Sequence, residues 1–168
     1  MATGLRSNGF TEYPNNPATT VGKKERSVRY KRTILTGAGT NTLHILAGPL
    51  TYAMKVAAII GSTPAFTSAN ANDLGFYKLE ADGSFTVIGV GNELWSNADL
   101  SSALSYRELL GTLNAALDTD DNIGTILGKS TEDQPVGGVY LGLLIKTAST
   151  AASAILDLEV RIEEATTV

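Results

Sequence analysis

A single histidine and no cysteine limit what this chain of 168 residues can catalyse. A serine nucleophile needs a base within hydrogen-bond reach, and His44 is the one imidazole present. It stands between Leu43 and Ile45 in a strand-like stretch, where alternation turns it away from both. No Gly-x-Ser-x-Gly elbow accompanies it, so a solvated or interface histidine fits better than a general base. The segment Gly124-Thr125-Ile126-Leu127-Gly128-Lys129-Ser130 has the outline of a phosphate loop. Three residues separate its glycines, however, where four are needed for successive amides to wrap a phosphate. Gly128 is read as a helix stop, with Lys129 complementing the helix's negative end. In Asp118-Thr119-Asp120-Asp121-Asn122 the carboxylates alternate as if around a hard cation. Ile123 takes the place of the required glycine and Lys129 that of the bidentate glutamate, so helix N-capping is the better account. These patterns call for no catalytic residue, metal or cofactor.

The remaining chemical feature is charge. Residues 1–32 hold seven basic groups (Arg6, Lys23, Lys24, Arg26, Arg29, Lys31 and Arg32) against Glu12 and Glu25, a net of +5. The rest holds six basic and fifteen acidic groups, a net of −9, which leaves −4 overall. The chain thus pairs a basic arm with an acidic body, and an arm lying on a neighbour's body is electrostatically favourable. Nucleic acid is the lesser alternative, because beyond Tyr30 no aromatic platform for bases accompanies the run. An acidic protein surface is the preferred target of Arg6, Tyr13, Lys23, Lys24, Arg26, Arg29, Lys31 and Arg32.

The elements that must carry these residues are mostly strands. Seventeen glycines exceed the roughly twelve that average usage gives, so many turns are expected. Residues 1–26, with Pro14, Pro17, several Asn and Thr and no apolar periodicity, form an extended arm expected to order only on a partner. A single β-sandwich domain occupies 27–168. Its clearest strand is 155–163, where Leu156, Leu158, Val160 and Ile162 alternate with Asp157, Glu159, Arg161 and Glu163. Residues 138–147 are apolar almost throughout and predict a central strand covered on both faces. Further strands are expected at 27–35 and 41–46, with a break at Gly48-Pro49, and then at 51–60, whose tail 57–60 is equally compatible with helix. Strands at 74–80 and 84–89 flank Asp82-Gly83, a pair suited to a type I′ turn. Two short helices are expected. One follows a capping box at Ser105 and Glu108, ahead of Leu109, Leu110 and Leu113. The other runs over 122–127, capped by Asp120 or Asp121 and stopped by Gly128. Trp95, the one tryptophan, is assigned to core packing. Together these make a mainly β fold, a jelly-roll-like sandwich with two short helices and an extended N-terminal arm.

Residues 72–164 also carry a resemblance. The segments Asn72-Asp73-Leu74-Gly75-Phe76-Tyr77-Lys78, Leu94-Trp95 with Ala98-Asp99-Leu100-Ser101-Ser102-Ala103, Asn122-Ile123-Gly124-Thr125-Ile126-Leu127-Gly128 and the terminal strand are similar in texture and order to small structural proteins of tailed-bacteriophage heads. The resemblance implies a capsid decoration or cement protein. Such a protein binds the outside of an assembled capsid and bridges neighbouring major capsid protein subunits, with no active site. It implies residence in the virion after synthesis in the host cytoplasm, and self-association as a dimer or trimer is expected with it. The first twenty residues have the composition of neither a signal peptide nor a membrane anchor. A tail or neck protein, or a carbohydrate-binding sandwich recognising host surface sugars, is the alternative.

Overall fold

In the computed structural model, residues 4–6, 12–13, 23–34, 41–66, 72–113, 121–146 and 154–165 are described. They form β1 (Gly4–Arg6), β2 (Glu12–Tyr13), β3 (Lys23–Ile34), β4 (Thr42–Leu50), β5 (Lys55–Thr63), β6 (Asn72–Leu79), β7 (Phe85–Val87), β8 (Trp95–Ala98) and β9 (Leu104–Glu108). A one-turn α1 (Leu110–Leu113), a short α2 (Ile123–Leu127), β10 (Val139–Ile145) and β11 (Ala154–Ala165) follow. The protein is therefore mainly β. One sheet runs β1-β4-β10-β6-β7, with β8 also on β6, and the other runs β2-β3-β11-β5-β9. Every pairing is antiparallel except β1 with β4.

The two sheets share one core. Leu156, Leu158, Val160 and Ile162 are fully buried, while Asp157, Glu159 and Arg161 face outward, as the period of two in β11 requires. Each of those four side chains contributes roughly 1.5–3 kcal/mol of burial. Val28 and Tyr30 on β3, Val56 and Ile59 on β5, Leu74 and Phe76 on β6, and Leu141, Leu143 and Ile145 on β10 meet them, with Trp95 among them. Strand β10 is covered on its outer face too, where Tyr140 packs with Leu43, Ile45, Tyr77 and Phe85. Glycine makes that second layer possible. A β-carbon on Gly142 would stand 2.7 Å from the Tyr77 ring, and one on Gly48 would stand 2.4 Å from the Tyr140 ring. Each ring therefore lies across a glycine of the neighbouring strand.

Several local expectations change. The chain does not leave the sheet at Gly48-Pro49, because β4 continues to Leu50 and β10 absorbs the irregularity through register shifts between Val139 and Gly142. Residues 51–54 form a turn, closed by Met54 N to Thr51 O at 3.1 Å, and 57–60 are strand. The hairpin at Asp82-Gly83 exists, but Gly83 alone there has positive φ, at 82°. Gly83 N donates to Glu80 O and Glu80 N to Ser84 O, so the turn is a type I turn followed by a left-handed glycine, not type I′. The capping box is also overturned, since Ser105 to Glu108 lie in β9, paired with β5, and the helix expected after it is one turn at Leu110–Leu113. Glu108 instead accepts from the amides of Leu110 and Gly111 at 2.7 and 3.1 Å, so it caps the turn that follows rather than its own segment. At the second helix Asn122 is the cap, accepting from Thr125 N at 2.8 Å, in place of Asp120 or Asp121. Gly128 ends it in the left-handed region, and Lys129 N returns to Gly124 O at 2.8 Å.

Candidate protein interface on the outer face of strands β3 and β11

Strand β3 places its basic residues by alternation. Val28 and Tyr30 point into the core, so Arg29 and Lys31 point out. The strand beside them is β11, paired over the full twelve residues from Lys23 opposite Ala165 to Ile34 opposite Ala154. Arg29 reaches diagonally to Asp157 with a two-pronged bond, 2.8 Å from Nε and 2.7 Å from Nη2. Lys31, directly opposite Asp157, lies 3.8 Å from the same carboxylate. The Arg29 hydrogen bonds hold the Asp157 carboxyl below its ordinary value against the opposing effect of burial, and the charges of Arg29 and Lys31 add to that. Further along, Ser27 Oγ donates to Glu159 at 3.2 Å, Arg161 Nε meets the same oxygen at 3.2 Å, and Lys55 pairs with Glu163 at 3.1 Å. Arg26 bonds Glu164 at 3.0 Å.

The basic segment and the acidic body are thus neighbours within one sheet. The expectation of an arm whose charge awaits a partner changes here, because the first long strand pairs with the last. Strand β3 begins at Lys23, so residues 23–26 belong to the sheet. Lys24 lies opposite Glu164 in register. Tyr13 lies beside Ser27 at the edge of the same sheet, whereas Arg6 lies beside Ile45 on the other sheet. The eight residues are not one patch. Arg29 and Lys31 keep 49% and 57% of their side-chain surface exposed, so both can still meet an incoming acidic group.

Arg32 is turned inward with Val28 and Tyr30 and serves a different group. Its charge acts on the Tyr30 hydroxyl, which lies 2.6 Å from His44 Nδ1 with the rings edge to face at 5.7 Å. His44 is 2% exposed, which corrects the expectation of a solvated or interface histidine. Alternation does turn it away from Leu43 and Ile45, but both faces of β4 are covered. Burial, with a smaller effect from the Arg32 charge, pushes its pKa down to about 4, so the imidazole is neutral.

Sequence reasoning missed a device on the opposite sheet. β7 and β8 continue one line along β6, with Ile88 N bonding Phe76 O and Leu94 N bonding Leu74 O. Between them residues 89–93 bulge outward, and the Glu93 carboxylate takes the amides of Val90 at 2.6 Å, Gly91 at 3.0 Å and Phe76 at 3.2 Å. A β-carbon on Gly75 would stand 2.3 Å from the Gly91 carbonyl carbon, so the bulge lies on a bare backbone. The glycine-dense run before Glu93 was the available signal.

Asp118 and Asp120 of the calcium pattern lie outside the described residues. Among the described residues no three His, Cys, Asp or Glu side chains are grouped to hold a metal, and no helix is long and apolar enough to cross a membrane. Fold and face define a mainly β protein of two sheets with a charge-laced outer surface. No family model matches the chain, and neither a curated protein nor a solved structure does so.

Proposed function

We propose that this chain is a non-enzymatic virion structural protein that binds the outside of an assembled capsid and stabilises it by bridging major capsid protein subunits. The observation that carries the reading is the nesting of strand pairs. β3 pairs β11, β4 pairs β10, β5 pairs β9, and β6 pairs the interrupted β7 and β8. That is one long antiparallel ribbon. The further pairings of β11 with β5 and of β10 with β6 wind it into two sheets. Such winding supports the reading of a jelly roll, an architecture used by viral capsid and lectin domains. The resemblance of residues 72–164 to phage head proteins favours the virion use. Among the residues whose side chains are described, Tyr106 is the one exposed aromatic, at 61%, which gives a sugar-binding reading little to stack on.

A protein that binds only the assembled lattice stabilises it by mass action, and repeated weak contacts across a shell multiply the effect. Arg29 and Lys31 are the contact residues we assign, meeting carboxylates of the capsid protein. The test is co-sedimentation with expanded heads that lack the protein, comparing the full chain, a chain lacking residues 1–22, and Arg29→Gln with Lys31→Gln. Removing residues 1–32 would be uninformative, because β3 supplies Val28 and Tyr30 to the core. Saturable binding that weakens in the double variant is expected. Absence of binding by the folded full chain would reject the reading.

A further inference from the structure

The glycine-spaced run that begins at Gly124 has the outline of a phosphate loop, and the fold gives that run a cavity. Gly124, Thr125, Gly128 and Lys129 line a surface bowl of about 350 Å³, toward the small end of ligand-sized cavities. Tyr52, from the turn between β4 and β5, lines it too, as do Asn122 and Thr131. Ile123 N bonds Met54 O at 2.8 Å and Gly124 N bonds Tyr52 O at 2.9 Å, so α2 and the turn are held together before any ligand arrives.

What the bowl can bind follows from which of its polar groups are already engaged. Thr125 N donates to Asn122 Oδ1, Gly128 N to Thr125 O and Lys129 N to Gly124 O. A phosphate would find no nest of free amides here, in keeping with the short spacing of the glycines. The acceptors are spent as well. Asn122 Oδ1 takes Thr125 N at 2.8 Å and Thr125 Oγ1 at 3.0 Å, and the carbonyls of Tyr52, Gly124 and Thr125 each take an amide. Donors remain on three side chains, because Asn122 Nδ2, the Thr131 hydroxyl and the Lys129 ammonium meet no acceptor among the described residues. Lys129 stands apart from the other lysines whose side chains are described. Lys31, Lys55, Lys78 and Lys146 each meet a carboxylate, and Lys129 does not. Among the described residues lining the bowl it alone carries charge, since Asp133 is turned onto Ser130. We propose that this bowl takes a carboxylate, an acceptor-only group whose single negative charge matches one ammonium, one amide and one hydroxyl. Two sources share that chemistry, a free organic acid and an acidic side chain of a capsid partner, and only the second rests on the capsid reading.

Butyrate, a single carboxylate on a short chain, is the probe for the first source. Titrated into the full chain and followed by NMR, it is expected to shift the Asn122 side-chain amide and the backbone amides of Lys129 and Thr131, saturating in the millimolar range. Lys129→Gln should weaken that binding about tenfold, the effect of losing one charge-assisted hydrogen bond. Arg107→Gln removes an exposed cation that likewise meets no carboxylate among the described residues, and it should leave the binding unchanged. Inorganic phosphate at equal concentration should shift these signals less than butyrate does. The second source is read by co-sedimentation with heads. If butyrate gives no shift, Lys129→Gln should still lower head binding while Arg107→Gln does not, which assigns the carboxylate to the capsid protein. Absence of both effects overturns the proposal. So do butyrate shifts that survive Lys129→Gln, a loss shared equally by Arg107→Gln, or phosphate shifts that exceed those of butyrate. A full chain that binds no heads removes only the second source, and butyrate then decides alone.

Discussion

Mild acid should destabilise this protein through one side chain. His44 is buried against Tyr30, and its pKa in the fold is about 4, whereas an unfolded chain titrates it near 6.5. Above pH 6.5 both states hold the ring neutral and the group has no effect. Below that, the unfolded chain takes up a proton that the fold refuses, so stability falls with pH until about 4 and then levels off for this group. At about 1.4 kcal/mol per unit, the loss is about 2 kcal/mol by pH 5 and about 3 kcal/mol by pH 4. The assay is urea unfolding followed by the fluorescence of Trp95, the single tryptophan, which is fully buried. With a slope of about 1–3 kcal/mol per molar urea, the midpoint should drop by about 1 M between pH 7 and pH 5. No other histidine exists to confuse the result. Carboxylates such as Asp157 and Asp99 are held below their ordinary values and act beneath this window. His44→Gln can accept from Tyr30 without titrating, and its midpoint should be flat from pH 7 to 5. A flat wild-type profile, or an unchanged slope in His44→Gln, would refute the reasoning.

Other consequences follow from single contacts. Glu93→Ala strips three amides of their acceptor and should cost about 2 kcal/mol, with faster hydrogen exchange at Phe76 as its local signature. Gly75→Ala should release the same bulge by pushing Gly91 away, lowering the melting temperature while the Glu93 side chain remains. Gly128→Ala meets no neighbour within 4 Å, so its cost of about 1 kcal/mol in urea unfolding would come from the left-handed backbone alone. Asp157→Asn removes a group whose stabilising effect is present above its ordinary pKa and lost as pH falls through its lower folded value. Because Arg29 is half exposed, the difference from wild type should stay below about 1 kcal/mol at pH 7 and shrink as the pH falls below the ordinary carboxylate range.

The parts of the fold that were legible in the sequence are those where one residue's environment follows from its immediate neighbours. The alternation of β11 and the apolar run of β10 each report their own burial, and Asp82-Gly83 marks a turn by its backbone preference. Where partners distant in sequence decide, local pattern misled. Ser105 and Glu108 have capping-box spacing, yet β5 recruits them as a strand, and the Glu108 carboxylate satisfies the amides that come after it. His44 alternates correctly, but nothing within β4 shows that its outer face is covered as well as its inner one. The role of Glu93 went unread, because the strand whose Phe76 amide it accepts lies seventeen residues earlier.

Charge shows the same limit most clearly and bears on function. Counted along the chain, +5 and −9 separate into an arm and a body that suggest attraction between molecules. Folded, β3 lies against β11, and Asp157 and Glu164 absorb much of that attraction inside one sheet. An external partner must therefore compete with Asp157 for Arg29 and Lys31 rather than neutralise bare cations. Such competition gives a modest affinity per site that falls with salt, since exposed pairs on both sides are screened within about 10 Å at 0.1 M. Weak contacts of this kind hold only when many are made at once, as on a repeating lattice. The charged face of β3 and β11 is accordingly better suited to a multivalent shell than to a single soluble partner, and head binding should lose more from added salt than folding does.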